Sequence, residues 1–425
     1  MGTVPSMKDE LRVAYLLKKF PRLSETFILT EVLTQESLGT RVCILARRPV
    51  DSEPRHPELA NLKATVEQLP KTSQMEPWSR LCAAPPAGLG GDVWDGLQTC
   101  VRDYSSLIGE RFPRLLAEAL HIRQRAVDLA LDHIHVHFAT EAAIVAMLSK
   151  RLGGPSFSIT AHAKDIYRSS VRSELLEQLV LNSQFLVTVC DANVQYLRSM
   201  LSPRAGERVR RLYNGLALER FPYNEAGREP AQILAVGRLV EKKGFHVLID
   251  SLVELKRRGC PYKATLVGGG DEADALKQQA SEAGLEACDL VFTGPVDQDE
   301  IREHMKLATL FVLPCIVGAD GNRDALPTVL LEALAMGVPC ISTAVTGIPE
   351  ILDQGRVGRI VHESGPLPLA DTIENLLGDS DQRLDMARRG RSRALDLFDA
   401  QVVGATLQEW FQESVHAAAE QELPA

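Results

Sequence analysis

The chain predicts an α/β fold of two Rossmann-like domains facing across a cleft. Three observations lead there. Short apolar, β-type runs alternate with amphipathic helical stretches in two successive series. A cluster of Pro222, Asn224, Gly227 and Pro230 separates the series. In the second series, loops rich in glycine and charge follow the strands directly, as at the ligand-binding edge of a parallel sheet.

In the first series, residues 11–17 (LRVAYLL) read as a compact apolar strand. The loop 18–26, an amphipathic helix over 27–38 and a strand over 41–46 follow, an order that a parallel sheet requires because parallel neighbours need a crossover. Residues 49–115 are rich in Pro, Gly and charge and are expected to be irregular, with short helices. Strands resume at 133–138, 156–160, 185–189 and 209–212, completing a first domain over 1–217. The second domain, 218–396, contains strands at 232–236, 264–267, 290–292 and 310–314, with helices over 245–258 and 273–283. Pro327 suits the first turn of a helix over 327–336, and Gly337 suits the left-handed position just past its end. A buried strand over 338–343 and a turn at Thr346-Gly347 come next. The last helix, within 397–425, is expected to cross back to the first domain.

At 425 residues the chain exceeds one ordinary core. Its 45% hydrophobic and 24% charged content is that of a soluble globular protein. No apolar run approaches the ~20 residues needed to cross a bilayer, and the acidic start does not read as a secretory signal. The eight cysteines are scattered without a CxxC pair, which favours reduced core thiols over disulfides or a zinc site. Charge is uneven. Residues 1–215 hold 27 Lys+Arg against 23 Asp+Glu, a net of +4, and residues 216–425 hold 20 against 33, a net of −13. The basic half suits an anionic membrane surface or a pyrophosphate-bearing lipid, or is only sampling noise; with reduced thiols, a cytoplasmic protein is expected, either free or peripheral at the inner face of the membrane. Nothing points to nucleic acid.

Several positions carry chemistry. After the 232–236 strand comes Gly237-Arg238-Leu239-Val240-Glu241-Lys242-Lys243-Gly244, where a forked guanidinium and an ammonium five residues apart can clamp a diphosphate; the plain alternative is a solvated basic turn. Val267-Gly268-Gly269-Gly270 lets backbone approach a ligand at a helix start, or is only a turn. Asp324, Glu332 and Glu350 surround the 327–336 helix. Glu332 sits among core-type residues, so it faces either a cleft or the solvent side of an edge helix. His162 stands two residues beyond a strand and can hydrogen-bond a ligand near neutral pH. His133, His135 and His137 share one strand face, but at ~3.3 Å per residue their spacing of ~6–7 Å argues against a metal triad. Only His137, at the strand end, is a cleft candidate. No metal or cofactor is expected.

Asp324, seven intervening residues and Glu332, together with Gly237-Arg238 and Lys243-Gly244, resemble the signature of retaining glycosyltransferase family 4, which has the GT-B fold. The resemblance spans about residues 10–395 and is strongest over 232–352. It implies transfer of a hexose, with retained configuration and without metal, from a nucleoside-diphosphate sugar to a hydroxyl of a growing polysaccharide or polyprenyl-diphosphate-linked glycan. On that likeness Arg238 and Lys243 hold the diphosphate, Asp324 the sugar hydroxyls and Glu332 the ribose. Asp324 replaces the usual Glu and is one methylene shorter. Gly237, Gly268, Gly269, Thr293, Thr346 and Gly347 would line the nucleotide sugar, and His162 would lie near the reacting sugar. The loop Pro21-Arg22-Leu23-Ser24-Glu25-Thr26 stands where many members have a Gly-rich turn and resembles the exopolysaccharide and colanic-acid subgroup. Arg22, Ser24, Glu25, Thr26 and His137 are therefore acceptor-side candidates, although Ser24 also reads as a helix cap. A nucleotide-sugar epimerase or phosphorylase on the same plan, and a catalytically silent glycan-assembly partner, are the competing readings. The sequence speaks against a dinucleotide dehydrogenase, since no G-x-G-x-x-G with an acid at the right distance follows the first strand.

Overall fold

The computed structural model describes residues 10–22, 25–50, 56–70, 91–363 and 365–422. Two wholly parallel sheets form the frame. The first is β1 (Arg12–Leu17), β2 (Arg41–Ala46), β3 (Thr65–Gln68), β4 (His133–His137), β5 (Ser156–Ala161), β6 (Leu186–Thr188) and β7 (Val209–Arg211), in the order β3-β2-β1-β4-β5-β6-β7. The second is β8 (Gln232–Val236), β9 (Lys263–Val267), β10 (Leu290–Gly294), β11 (Leu310–Leu313), β12 (Cys340–Thr343) and β13 (Arg359–Val361), in the order β10-β9-β8-β11-β12-β13. Each reverses direction beside its first strand, so each has a crevice at its carboxyl edge where a ligand can bind. This is the GT-B architecture. β11 is buried end to end, and β1 in every residue after Arg12, because helices cover both sheet faces.

Residues 91–115 depart from the expected irregularity. Gly91–Ile108 and Phe112–Asp128 are two long helices. Val93, Leu97, Cys100, Tyr104 and Ile108 form the buried stripe of the first, a helical period that the neighbouring glycines and charges obscured. Residues 71–90 and Ser24 lie outside the described residues. The helix Thr328–Ala335 is flanked by Pro327, and Gly337 takes φ +70°, the left-handed geometry expected after a helix end.

The final helix, Ala400–Glu422, packs on the helix Thr26–Ser37, where Gln35 Nε2 donates to the carbonyl of Gly404 at 2.7 Å. It begins at a crossing where Leu216 N donates to Phe398 O and Ala400 N to Leu216 O. Glu350 makes a second bridge between the halves. Its carboxylate accepts from the N–H groups of Asp191 (2.8 Å) and Ala192 (2.9 Å), at the start of the helix Asp191–Met200. A carboxylate there offsets the unpaired donors and positive end of that helix. Among the described residues, no helix is long and apolar enough to cross a membrane.

Candidate functional site

The loops after β8, β9 and β10 are knitted into one rim. Gly237 N donates to Val267 O (3.0 Å), Leu239 N to Gly269 O (2.9 Å) and Gly268 N to Gly294 O (3.0 Å). Gly268 has φ +142°, and a Cβ there would collide with the Gly237 carbonyl; Gly244, at φ +66°, would collide with Pro314 O. Only glycine allows backbone to pack this closely. Thr293, next to last in β10, lies on the same rim, with Oγ1 donating to Gly294 O at 2.9 Å.

Charge converges beside this rim. Asp324 Oδ1 meets Lys242 Nζ at 2.6 Å and Oδ2 meets Lys243 Nζ at 2.5 Å, while Cys315 Sγ approaches Oδ2 at 3.6 Å. All three charged side chains are 12–14% exposed. Burial pushes the Asp324 carboxyl up, but Lys243 and Lys242 outweigh it and hold the group well below the ordinary carboxylate range. Burial likewise pulls Lys243 down, and Asp324 overcomes this, leaving the ammonium above its usual value. Arg238 is exposed and close enough to act on Lys243 electrostatically. The structure thus unites Arg238, Lys243, Asp324, Gly237, Gly268, Gly269 and Thr293, and adds Lys242, which the spacing of motifs did not single out.

Glu332 faces other partners. It is 3% exposed on the helix Thr328–Ala335, accepts from Gln298 at the start of the helix Gln298–Leu307, and feels Arg220 and Arg302. Burial pushes its carboxyl up to about 7. Among the described residues Oε2 has no hydrogen-bond partner, nor has Arg302 Nη1 or Thr346 Oγ1. Thr346 adopts φ +49°, and Gly347 N donates to Ala325 O beside Asp324. That turn therefore abuts the acidic segment.

On the other wall, His162 is 8% exposed and packs against Phe27 and Phe138. Burial holds it well below the usual histidine range. A chain of contacts runs behind it: His162 Nε2 to His137 Nδ1 at 3.3 Å, His137 Nε2 to Glu31 Oε1 at 3.1 Å, and Tyr15 OH donating to Glu31 Oε1 at 2.9 Å. The His162 side chain also accepts from the Asp165 N–H, so it is oriented from both sides. Burial opposes the charge on Glu31, but His137 and His135 hold its carboxyl below the ordinary value.

Cα spacing misjudges two of the three strand histidines. His135 and His137 converge to 5.1 Å between ring centroids, and with Glu31 they bring potential ligand atoms within 4.8 Å of one another. Imidazoles reach beyond the strand and can lean together. His135 Nε2 is nevertheless directed at Thr160 Oγ1 (3.0 Å), and His133 spends both ring nitrogens on Ser156 and Ser158. Thr26, Arg22 and Glu25 lie at the start of the helix Thr26–Ser37, where Arg22 Nη1 pairs with Glu25 at 2.8 Å.

The family model described as "Glycosyl transferases group 1" matches residues 219–393, the sheet that carries the lysine–aspartate cluster. A GDP-mannose-dependent alpha-(1-6)-phosphatidylinositol monomannoside mannosyltransferase of Mycobacterium tuberculosis is 32% identical over 285 residues, 64% of this chain and 73% of that one. The chain belongs to the glycosyl transferases group 1 family. Within this family it is similar along its whole length to the putative colanic acid biosynthesis glycosyltransferase WcaL of Salmonella typhimurium, at 28% identity over 95% of this chain and 100% of the other. The amylovoran biosynthesis glycosyltransferase AmsK of Erwinia amylovora is 28% identical over 86% of this chain and 90% of that relative. Among solved structures, Anabaena Alr3699/HepE in complex with UDP and glucose superposes with a TM-score of 0.71 over 95% of this chain and all of that one, at 16% identity, which speaks to the fold alone.

Proposed function

We propose that this glycosyltransferase moves a hexose from a nucleoside-diphosphate sugar to a hydroxyl of a growing polysaccharide or lipid-linked glycan, with retained anomeric configuration. The observation that supports this most directly is the convergence of Arg238, Lys242 and Lys243 beside a rim of backbone at Gly237, Gly268 and Gly294. A diphosphate is matched there by forked and point cations. The names of relatives in exopolysaccharide synthesis support the acceptor class.

In this reading Asp324 keeps the two ammoniums charged and in place before the donor arrives. The diphosphate then draws Lys243 away, and the freed Oδ2 accepts a sugar hydroxyl. Glu332, with one oxygen unsatisfied, takes the vicinal hydroxyls of the ribose, and Thr346 and Gly347 contribute to the sugar pocket. The departing phosphate carries growing negative charge that Arg238 and Lys243 stabilise, in place of a metal. The same phosphate accepts the proton of the attacking hydroxyl on the face it leaves, so retention needs no protein nucleophile. His162, its ring held by His137 and Asp165, borders the reacting sugar. Closure near residue 217 excludes water.

A thermal-shift and donor-hydrolysis screen against UDP-, GDP-, ADP- and TDP-sugars tests the reading. At least one should stabilise the protein, and Arg238→Ala or Lys243→Ala should abolish the effect. Stabilisation that persists in both variants would refute the clamp. Steady consumption of the donor to an isomeric sugar nucleotide without acceptor would instead establish an epimerase.

A further inference from the structure

We propose that the groove beside the carboxyl edge of the first sheet receives the acceptor through an acidic group, a phosphate or a carboxylate, seated on Lys18, Arg22 and Lys164, with an adjoining apolar part lying along Val171 and Leu175. The proposal rests on the transferase reading and extends it to the second substrate. The groove runs from the ends of β1 and β4 to the segment after β5; these five residues, His137 and Phe138 are part of its lining, as are Glu25, Asp165 and Glu141, the last paired with Arg47 and Arg114. It therefore opens beside His162, which touches both His137 and Phe138. At its far end Arg168 reaches Asp320 of the second sheet's loops at 3.3 Å, so the groove borders the donor side.

Its charge is in excess. Lys164 lies within electrostatic reach of Lys18, Arg22, Glu25 and Asp165. Glu25 is engaged with Arg22, and Asp165 accepts from the backbone N–H groups of Ala139 and His162, with burial pushing it up to about 7. Among the described residues no carboxylate comes within ion-pair distance of Lys18 or Lys164, and Lys164 Nζ rests 4.0 Å from the centroid of the Phe138 ring. Arg22 Nε is buried, and among the described residues it has no acceptor. Two ammoniums and an unsatisfied guanidinium N–H around one hollow make a site for an anion, because an uncompensated buried donor is costly and a phosphate or carboxylate oxygen relieves it. Val171 and Leu175 are half-buried neighbours in the same wall, apolar surface that a neutral sugar would leave uncovered.

The test is calorimetric titration of the full chain, saturated with the nucleoside diphosphate found in the donor screen, using farnesyl diphosphate, inorganic pyrophosphate, a glucuronate-bearing disaccharide and farnesol. Lys18→Gln/Lys164→Gln should weaken binding of the acidic probe on the order of tenfold or more, with nucleoside-diphosphate affinity unchanged. Both lysines are exposed, so the fold should survive. Tight farnesyl diphosphate binding that Leu175→Asn weakens, while pyrophosphate binding stays constant, would place the acid on a lipid carrier. Selective binding of the glucuronate probe would place it within the glycan. Farnesol binding as tightly as its diphosphate, or no loss in the double lysine variant, would overturn the proposal. Loss of donor binding through Lys243→Ala is measured separately, so failure of the acceptor site and failure of the donor clamp remain distinct.

Discussion

Asp324→Asn separates the structural from the catalytic part of the lysine–aspartate cluster. The substitution keeps the shape but removes the charge that faces Lys242 at 2.6 Å and Lys243 at 2.5 Å. With these groups only 12–14% exposed, water cannot replace the lost partner fully. Breaking a buried pair from one side costs about 3–5 kcal/mol, against a total stability on the order of 5–15 kcal/mol. Trp78, Trp94 and Trp410 all lie outside residues 218–396, so urea unfolding followed by far-UV circular dichroism is the suitable assay. A nucleoside diphosphate at a hundred times the wild-type Kd adds about 2.7 kcal/mol to the wild type through linkage, and at that same concentration it should stabilise the variant more, because the freed ammoniums no longer have a competing carboxylate. Acid behaviour carries a second signature. Asp324 is depressed in the folded state, so its contribution is present above the ordinary carboxylate pKa and lost as pH falls through the lower folded value. The Asn variant should lack that part of the acid limb. A stability loss below about 1 kcal/mol, or no extra stabilisation by the nucleotide, would refute the reasoning.

Glu332 is raised to about 7, so the folded chain keeps a proton that the unfolded chain releases above the ordinary Glu pKa; stability should decline by up to about 3 kcal/mol as pH rises from there to 7, and Glu332→Gln should flatten the decline. Unfolding at pH 5 and pH 8 gives the comparison, and equal slopes in the two proteins would disprove it. Glu31→Gln keeps the shape behind His137 but removes the charge, and should lower turnover about tenfold without changing donor affinity; an unaltered pH–rate profile would rule out transmission to His162. Gly244→Ala meets both a left-handed φ and the Pro314 carbonyl, and should cost more than about 1 kcal/mol and weaken nucleotide binding, read by thermal shift. Glu350→Ala leaves the first N–H groups of the helix Asp191–Met200 without their acceptor and should cost about 1–2 kcal/mol in urea unfolding.

Much of the candidate site was legible because its residues sit in short contiguous segments. Gly237 to Gly244 and Asp324 to Glu332 each belong to one strand-loop-helix unit, and the register of a parallel sheet puts such loops on one edge. Lys242 was missed because neighbouring lysines look alike until a fold sets which of them meets an acid; here both do. Glu31 gave no signal, since a Glu on an amphipathic helix is ordinarily a solvated charge. Its neighbours on β1 and β4 lie 16 and 106 residues away. The long helix Gly91–Ile108 was lost in a segment whose composition resembles loop.

The sequence alone determined the alternation of strand and helix, the position of the glycines that let three loops pack into one rim, and the identity of the cations placed beside it. Those follow from local periodicity, from φ requirements and from side-chain chemistry, which act over a few residues. Tertiary structure alone decided which carboxylate partners which cation. Asp324 closes on the lysines, Glu332 turns to Gln298 and the arginines, and Glu350 leaves the site to cap a helix of the other half. Electrostatic partnership depends on distance and burial between segments far apart in the chain, and only packing sets either.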